Sequence, residues 1–187
     1  MGKEIIVILA FAFVFKMNAQ EIVERDGLLK AYLTISPGFM LNTSDQPFYF
    51  HGNLEVYTSE NISIAGDGYF FLGDLTEQGA FRFHNSLFAG FNWHPLKDGS
   101  SDFFIGIQPG LTFTTLSTEP NDSQTGINPV VSINIGYNYF VNEYFNFFLL
   151  GKTIFGQHST YAFRSLNEFR LSAGLGFSIP TKSKNQD

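Results

Sequence analysis

The chain has 187 residues, a formal net charge of −6, only 15% charged residues, 23 Phe and no Cys. At this length one domain is the expectation. The missing Cys excludes a disulfide scaffold, a thiolate nucleophile and Cys-containing zinc sites. An acidic balance with no Lys/Arg cluster leaves no electrostatic footprint for nucleic acid.

Residues 1–19 read as an export signal. Lys3 supplies a basic start, Ile5–Phe15 an apolar run, and Met17-Asn18-Ala19 precedes the expected cut before Gln20. That run is about 11 residues, short of the roughly 18–20 that a spanning helix needs. Residues 20–28 lead into eight segments that alternate large apolar with small polar residues, the period-2 signature of strands. The predicted strands cover 29–42, 47–58, 62–73, 81–94, 102–116, 129–141, 145–157 and 167–179. In the fifth, Phe103, Ile105, Ile107, Leu111 and Phe113 oppose Phe104, Gly106, Gln108, Gly110, Thr112 and Thr114. In the sixth, Val131, Ile133, Ile135, Tyr137 and Tyr139 oppose Ser132, Asn134, Gly136 and Asn138. The eighth, "FRLSAGLGFSI" (169–179), places Phe, Leu, Ala and Ile on one face and Arg, Ser and Gly on the other.

The connections alternate in length. Those at 59–61, 95–101 and 142–143 read as turns, whereas 43–45, 75–80, 116–128 and 158–166 read as loops, the last two being the longest. A membrane barrel with both termini in the periplasm has short periplasmic turns and longer outer loops.

Alternation alone does not say which face meets water, because a lipocalin-like soluble barrel alternates with its apolar face inward. A soluble exterior is rich in Lys and Glu, and charged residues make up about a quarter of an ordinary soluble protein, against 15% here. Here the polar face is Gly, Ser, Thr and Asn, which suits a narrow, side-chain-filled interior, and Trp93, Phe103, Tyr139, Phe145 and Phe177 fall at predicted periplasmic strand ends. The fold class predicted is therefore all-β: an eight-stranded antiparallel up-and-down transmembrane β-barrel over residues 29–179. Residues 20–28 then form an N-terminal periplasmic segment and 180–187 a polar tail.

The signal, the eight segments and the stretches "LTISPGFML" (33–41), "FHGNLEVY" (50–57) and "FIGIQPGLTF" (104–113) resemble the small eight-stranded outer-membrane barrels, especially the outer-membrane β-barrel proteins of the Bacteroidota type. The resemblance covers nearly the whole chain after the signal. It implies outer-membrane lipid and the barrel-assembly machinery as partners, an extracellular ligand at the outer loops, and no cofactor. Such barrels commonly end on an aromatic residue; here Phe177 is followed by Ser178-Ile179-Pro180 and the tail.

Strand parity sends Glu55, Asp67, Arg82, Lys152 and Arg170 into the lumen, where buried charges must pair. The expectation is an ion-pair network that plugs the barrel. His51, His84 and His158 share lumen parity near the outer strand ends, with Glu168 at the same level. Three His and a carboxylate are metal-ligand types, yet no HxH or HExxH spacing supports a metal site, so they read as polar residues lining the mouth. His94, beside Pro95 at an expected turn, reads as interfacial.

A rival reading rests on "FGQHSTYAFRSLNEFRLSAG" (155–174), which resembles the lipid A deacylases, outer-membrane esterases using a His, a Ser two residues later and a downstream carboxylate. The matching residues would be His158, Ser159 or Thr160, and Glu168. The match departs from that pattern, because Ser159 is adjacent to His158 and Thr160 occupies the expected Ser position. Adjacent strand residues point to opposite faces, so His158 and Ser159 do not cooperate unless the chain bends. The reading adopted is a non-enzymatic barrel with a structural or surface-interaction role. A lipid A-modifying esterase and a soluble lipocalin-like ligand-binding barrel are the alternatives.

Overall fold

A computed structural model describes residues 23–76, 79–117, 123–159 and 164–181. The signal segment 1–19, Thr160 and tail residues 182–187 lie outside the described residues. The strands are β1 (Leu28–Met40), β2 (Pro47–Ser59), β3 (Ile62–Asp74), β4 (Phe81–Asp98), β5 (Ser101–Ser117), β6 (Ser123–Phe140), β7 (Phe145–Gly156) and β8 (Glu168–Pro180). Each pairs antiparallel with its neighbours in sequence, and β1 closes against β8 into one barrel.

The period-2 pattern becomes two surfaces. Along β6, Ile133, Ile135 and Tyr137 are exposed outward, while Ser132, Asn134 and Asn138 are buried inside. The same division runs around the ring: Leu33, Ile64, Phe91, Ile105, Leu149 and Leu175 point out, and the buried set is dominated by Ser, Thr, Asn, His and paired charges. Small interior residues are required where a large one crosses the lumen. A Cβ placed on Gly136 would overlap the Phe104 ring, so these two positions share one volume.

Two strands run further than their sequence suggests. β4 passes Pro95 through a register shift between Trp93 and Leu96 and continues to Asp98, so the expected 95–101 turn shrinks to Gly99-Ser100. Gly99 takes φ +44°, the left-handed conformation that a tight hairpin needs and that glycine adopts without penalty. β6 starts at Ser123 because its ladder with β5 continues past Pro129 to Ser117↔Ser123, with Thr115 and Thr125 hydroxyls 3.2 Å apart.

At the closing seam, backbone pairing covers Leu28–Tyr32 with Gly176–Pro180 and Gly38–Met40 with Glu168–Arg170. Between these stretches Thr34 Oγ1 donates to Ala173 O (2.7 Å) and Ser36 Oγ to Leu171 O (2.9 Å). Pro37, in that interval, has no N–H to contribute. Short side chains thus cross-link the seam where the backbone ladder lapses.

The segment before β1 packs under the short-turn end of the barrel. Val23 joins Leu28, Tyr57 and Phe140 in an apolar cluster, and Arg25 Nη2 donates to Gly99 O (3.1 Å) and Ser101 O (2.9 Å).

Gly136→Ala forces Phe104 to move inside a filled lumen and is expected to destabilise the barrel by about 1–3 kcal/mol. Gly66→Ala is the control, since a Cβ there meets nothing closer than 3.8 Å. Urea unfolding of the refolded barrel separates the two; equal midpoints would contradict the packing described.

Candidate functional site: the ion-paired interior

The interior charges fall into three tiers, ordered from the short-turn end to the loop end. In the first, Lys30 pairs with Glu55 and donates to Asn138 Oδ1 (3.0 Å). Glu55 Oε1 also accepts from the Ser63 hydroxyl and from Asn92 Nδ2 (2.7 Å). His94 lies between two acidic groups, with Nδ1 2.8 Å from Asp102 Oδ1 and Nε2 2.9 Å from Ser63 Oγ and 3.6 Å from Glu55 Oε1. Tyr57 OH donates to Asp102 Oδ2 (2.6 Å), and Arg25 Nε stands 3.8 Å from the same oxygen.

Asp67 centres the second tier. It receives Lys152 Nζ (3.0 Å) and Asn53 Nδ2 (3.0 Å), and His51 Nε2 lies at 2.8 Å. His51 Nδ1 is 2.9 Å from Ser172 Oγ, which donates to Ser36 Oγ (2.9 Å) at the closing seam. Lys152 also donates to Gln108 and sits 4.4 Å over the Phe88 ring. In the third tier Arg170 Nη2 donates to Glu168 Oε2 (2.7 Å) and its guanidinium covers Tyr49 (4.0 Å) and Tyr69 (4.5 Å). Tyr49 OH donates to Glu168 Oε1 (2.8 Å) and lies 2.9 Å from His84 Nδ1.

Every carboxylate in these tiers faces a cation and at least one hydrogen-bond donor, as burial demands. The hydroxyl–imidazole–carboxylate order of Ser172–His51–Asp67 and Ser63–His94–Asp102 is that of a nucleophilic relay. Both serines are no more than 1% exposed, and their hydroxyls are donors to Ser36 and Glu55. As built, the arrangement holds charge; it does not present a nucleophile.

Of the five charges that parity sends inward, the structure places Glu55, Asp67, Lys152 and Arg170 inside, with Asp67 and Lys152 paired directly. Arg82 is corrected: it is exposed on the outer face. A register shift between Phe81 and Phe83 turns both Arg82 and Phe83 outward before alternation resumes at His84. His51 and His84 face inward but belong to different tiers, and among the described residues no group of three His, Asp or Glu is placed to hold a metal ion. His94 is also corrected: it is a buried bridge between Asp102 and Ser63, not an interfacial residue. Even-numbered parity along β4 points to that position, but Pro95 disguised the continuing strand.

Among the described residues of the esterase reading, His158 and Ser159 are engaged through their backbones and Glu168 through its carboxylate. His158 N–H donates to Arg164 O (3.0 Å), Ser159 N–H to Asn128 Oδ1 (2.6 Å), and Glu168 is taken up by Tyr49 and Arg170. Burial, then the Arg164 charge, holds the His158 imidazole below its usual range. Thr160 lies outside the described residues. Sequence reasoning also missed Lys30, Asp102 and Arg25; lumen parity marks the first two, whereas Arg25 precedes the first strand and carries no periodic signal.

At the short-turn rim, Glu60 receives the backbone N–H groups of Arg25 (3.0 Å) and Asp26 (3.1 Å) and the Lys97 ammonium (3.0 Å). Partial burial alone would raise its pKa, but these donors outweigh it and hold Glu60 below the usual carboxylate value.

In three dimensions the chain is similar to the N-terminal β-barrel domain of Pseudomonas aeruginosa OprF (TM-score 0.60, 12% identity, 82% of this chain and 98% of that one). It is also similar to Neisserial surface protein A, NspA (0.61, 10%, 82% and 96%). Ail, the attachment invasion locus protein of Yersinia pestis, is a further neighbour (0.54, 10%, 82% and 99%). No protein-family model matches the sequence, and no curated protein matches it. At these identities the likeness shows a shared fold, the closed eight-stranded antiparallel barrel.

Lys152→Met leaves the Asp67 charge without its ammonium and is expected to cost about 3–5 kcal/mol in urea unfolding, whereas Arg82→Met stays within about 0.5 kcal/mol of the parent. The Glu60 clamp gives a signed pH dependence. A carboxyl held below its ordinary value adds stability above that value and loses it as pH falls through the folded-state pKa. Glu60→Gln is therefore expected to lower the urea midpoint at neutral pH and to match the parent in strong acid; a gap that persists in strong acid would remove the clamp from the account.

Proposed function

We propose that this chain is an outer-membrane β-barrel, delivered by a cleaved export signal, whose interior is plugged by ion pairs and whose outer loops meet a partner outside the cell. The observation that carries the reading is the inverted polarity of the wall: large apolar side chains such as Leu33, Leu54, Phe91, Ile107 and Phe177 stand exposed outside while Lys30, Asp67, Lys152 and Arg170 are enclosed. An aqueous surface of that kind is a continuous hydrophobic patch far beyond what a soluble monomer tolerates; in lipid it is the expected exterior. Closure of β1 on β8 removes the strand edges that hydrocarbon would not solvate. Trp93, Phe145 and Phe177 face outward near the short-turn end, the position of an interfacial aromatic belt.

The same polarity argues against a soluble lipocalin-like barrel, which would put its apolar face inside. The placement of Glu168 against Tyr49 and Arg170 argues against the esterase reading. A surface-interaction role draws support from two neighbours whose names describe a surface protein and an attachment invasion locus protein. The Bacteroidota-type resemblance, the barrel-assembly machinery as folding partner and the identity of the loop ligand belong to this proposal as well.

The test is reconstitution. The parent refolded into lipid vesicles is expected to float with them, to shift on an unboiled gel and to show no ion conductance in a planar bilayer. Leu175→Arg, a charge on the exposed wall, is expected to lose membrane-inserted yield. Stable conductance would remove the plug; an inserted, folded Leu175→Arg would overturn the outward register of β8.

A further inference from the structure

Between the first and second tiers lies a cavity of about 10 Å³ whose lining brings Asn53, Asn92 and Asn138 together with the charged Lys30, Glu55 and Asp67. That volume is close to the minimum required by one water molecule. Each of the three amides carries one buried atom without a protein partner: Asn53 Oδ1, Asn92 Oδ1 and Asn138 Nδ2. Their orientations are set by charged neighbours. Asn53 Nδ2 donates to Asp67, Asn92 Nδ2 donates to Glu55, and Asn138 Oδ1 accepts from Lys30. Flipping any of them would put like against like, an amide N–H₂ on an ammonium or an oxygen on a carboxylate.

The unpaired set is therefore two acceptors and one donor around a space of one water. We infer that this cavity is a binding site for a single water, which accepts from Asn138 Nδ2 and donates to Asn53 Oδ1 and Asn92 Oδ1. A neutral occupant suits the charges already present, because Glu55 faces Lys30 and Asp67 faces Lys152. Gly106 makes room for the Asn92 amide, since a Cβ there would collide with Asn92 Oδ1. Bound there, the water joins the Glu55 and Asp67 networks into one hydrogen-bonded column. Its links on both sides are amides, which hold their protons, so the column couples the tiers mechanically without passing protons. The inference concerns the interior alone and is independent of where the barrel resides.

A crystal structure of the refolded barrel at a resolution that places ordered waters tests it. The expected result is one peak at roughly 2.7–3.2 Å from all three amide atoms. An empty cavity overturns the inference, as does a peak with four or more oxygen contacts near 2.3–2.6 Å, which is a cation. In solution, water-selective NMR of the detergent-solubilised protein should show a long-lived water cross-peak to the Asn138 side-chain amide. Asn53→Leu, judged folded by its backbone amide fingerprint, should lose that cross-peak. Persistence of the peak in that variant, or its absence in the parent, contradicts the site.

Discussion

A ring of eight strands encloses a space only wide enough for side chains, so whatever points inward must find its partner there. Closure of β1 on β8 imposes that condition on this chain. Once the ring is shut, six of its interior positions are taken by Lys30, Glu55, Asp67, Lys152, Glu168 and Arg170, none of them reachable by bulk water. Each would be prohibitively costly alone. The tiers pair these charges with one another, and removing one member of a pair leaves its partner buried and uncompensated.

The glycines and small hydroxyl residues follow from the same constraint. Phe104 crosses the lumen over Gly136, and Asn92 lies over Gly106, so space is shared between a large residue on one strand and an absent side chain on its neighbour. At the closing seam, Thr34 and Ser36 supply bonds to β8 carbonyls next to Pro37, and Ser36 in turn receives Ser172, which reaches His51 and Asp67. Seam and middle tier are one hydrogen-bonded unit. Beneath them, Arg25 and Glu60 tie the leading segment across the short-turn end, so that the bottom of the barrel is covered by its own chain.

Much of this architecture was legible from alternation. The period-2 runs in β5, β6 and β8 are unambiguous, and parity alone sends Glu55, Asp67, Lys152 and Arg170 inward. The errors come where alternation is broken. Arg82 sits in a bulge, an extra residue that leaves no mark on the apolar pattern, and His94 precedes a proline that imitates a turn while β4 bends through it. Partner choice was not legible either: Lys152 meets Asp67 across the lumen from 85 positions away, a distance set by strand number and register. The amide trio at 53, 92 and 138 is invisible for the same reason, since three strands bring it together.

The absence of Cys makes the central claim directly measurable. Single cysteines introduced at each position from 131 to 137 on β6, labelled with a nitroxide in vesicle-reconstituted protein, report lipid or polar contact residue by residue. At the odd positions, Val131 through Tyr137, the labels are predicted to be accessible to oxygen dissolved in the bilayer and shielded from a water-soluble relaxant. Ser132 and Asn134 should yield labels inaccessible to both, or variants that do not fold. An oscillation of opposite phase, or odd-position labels that meet the aqueous relaxant, would contradict an apolar wall in lipid around an ion-paired interior.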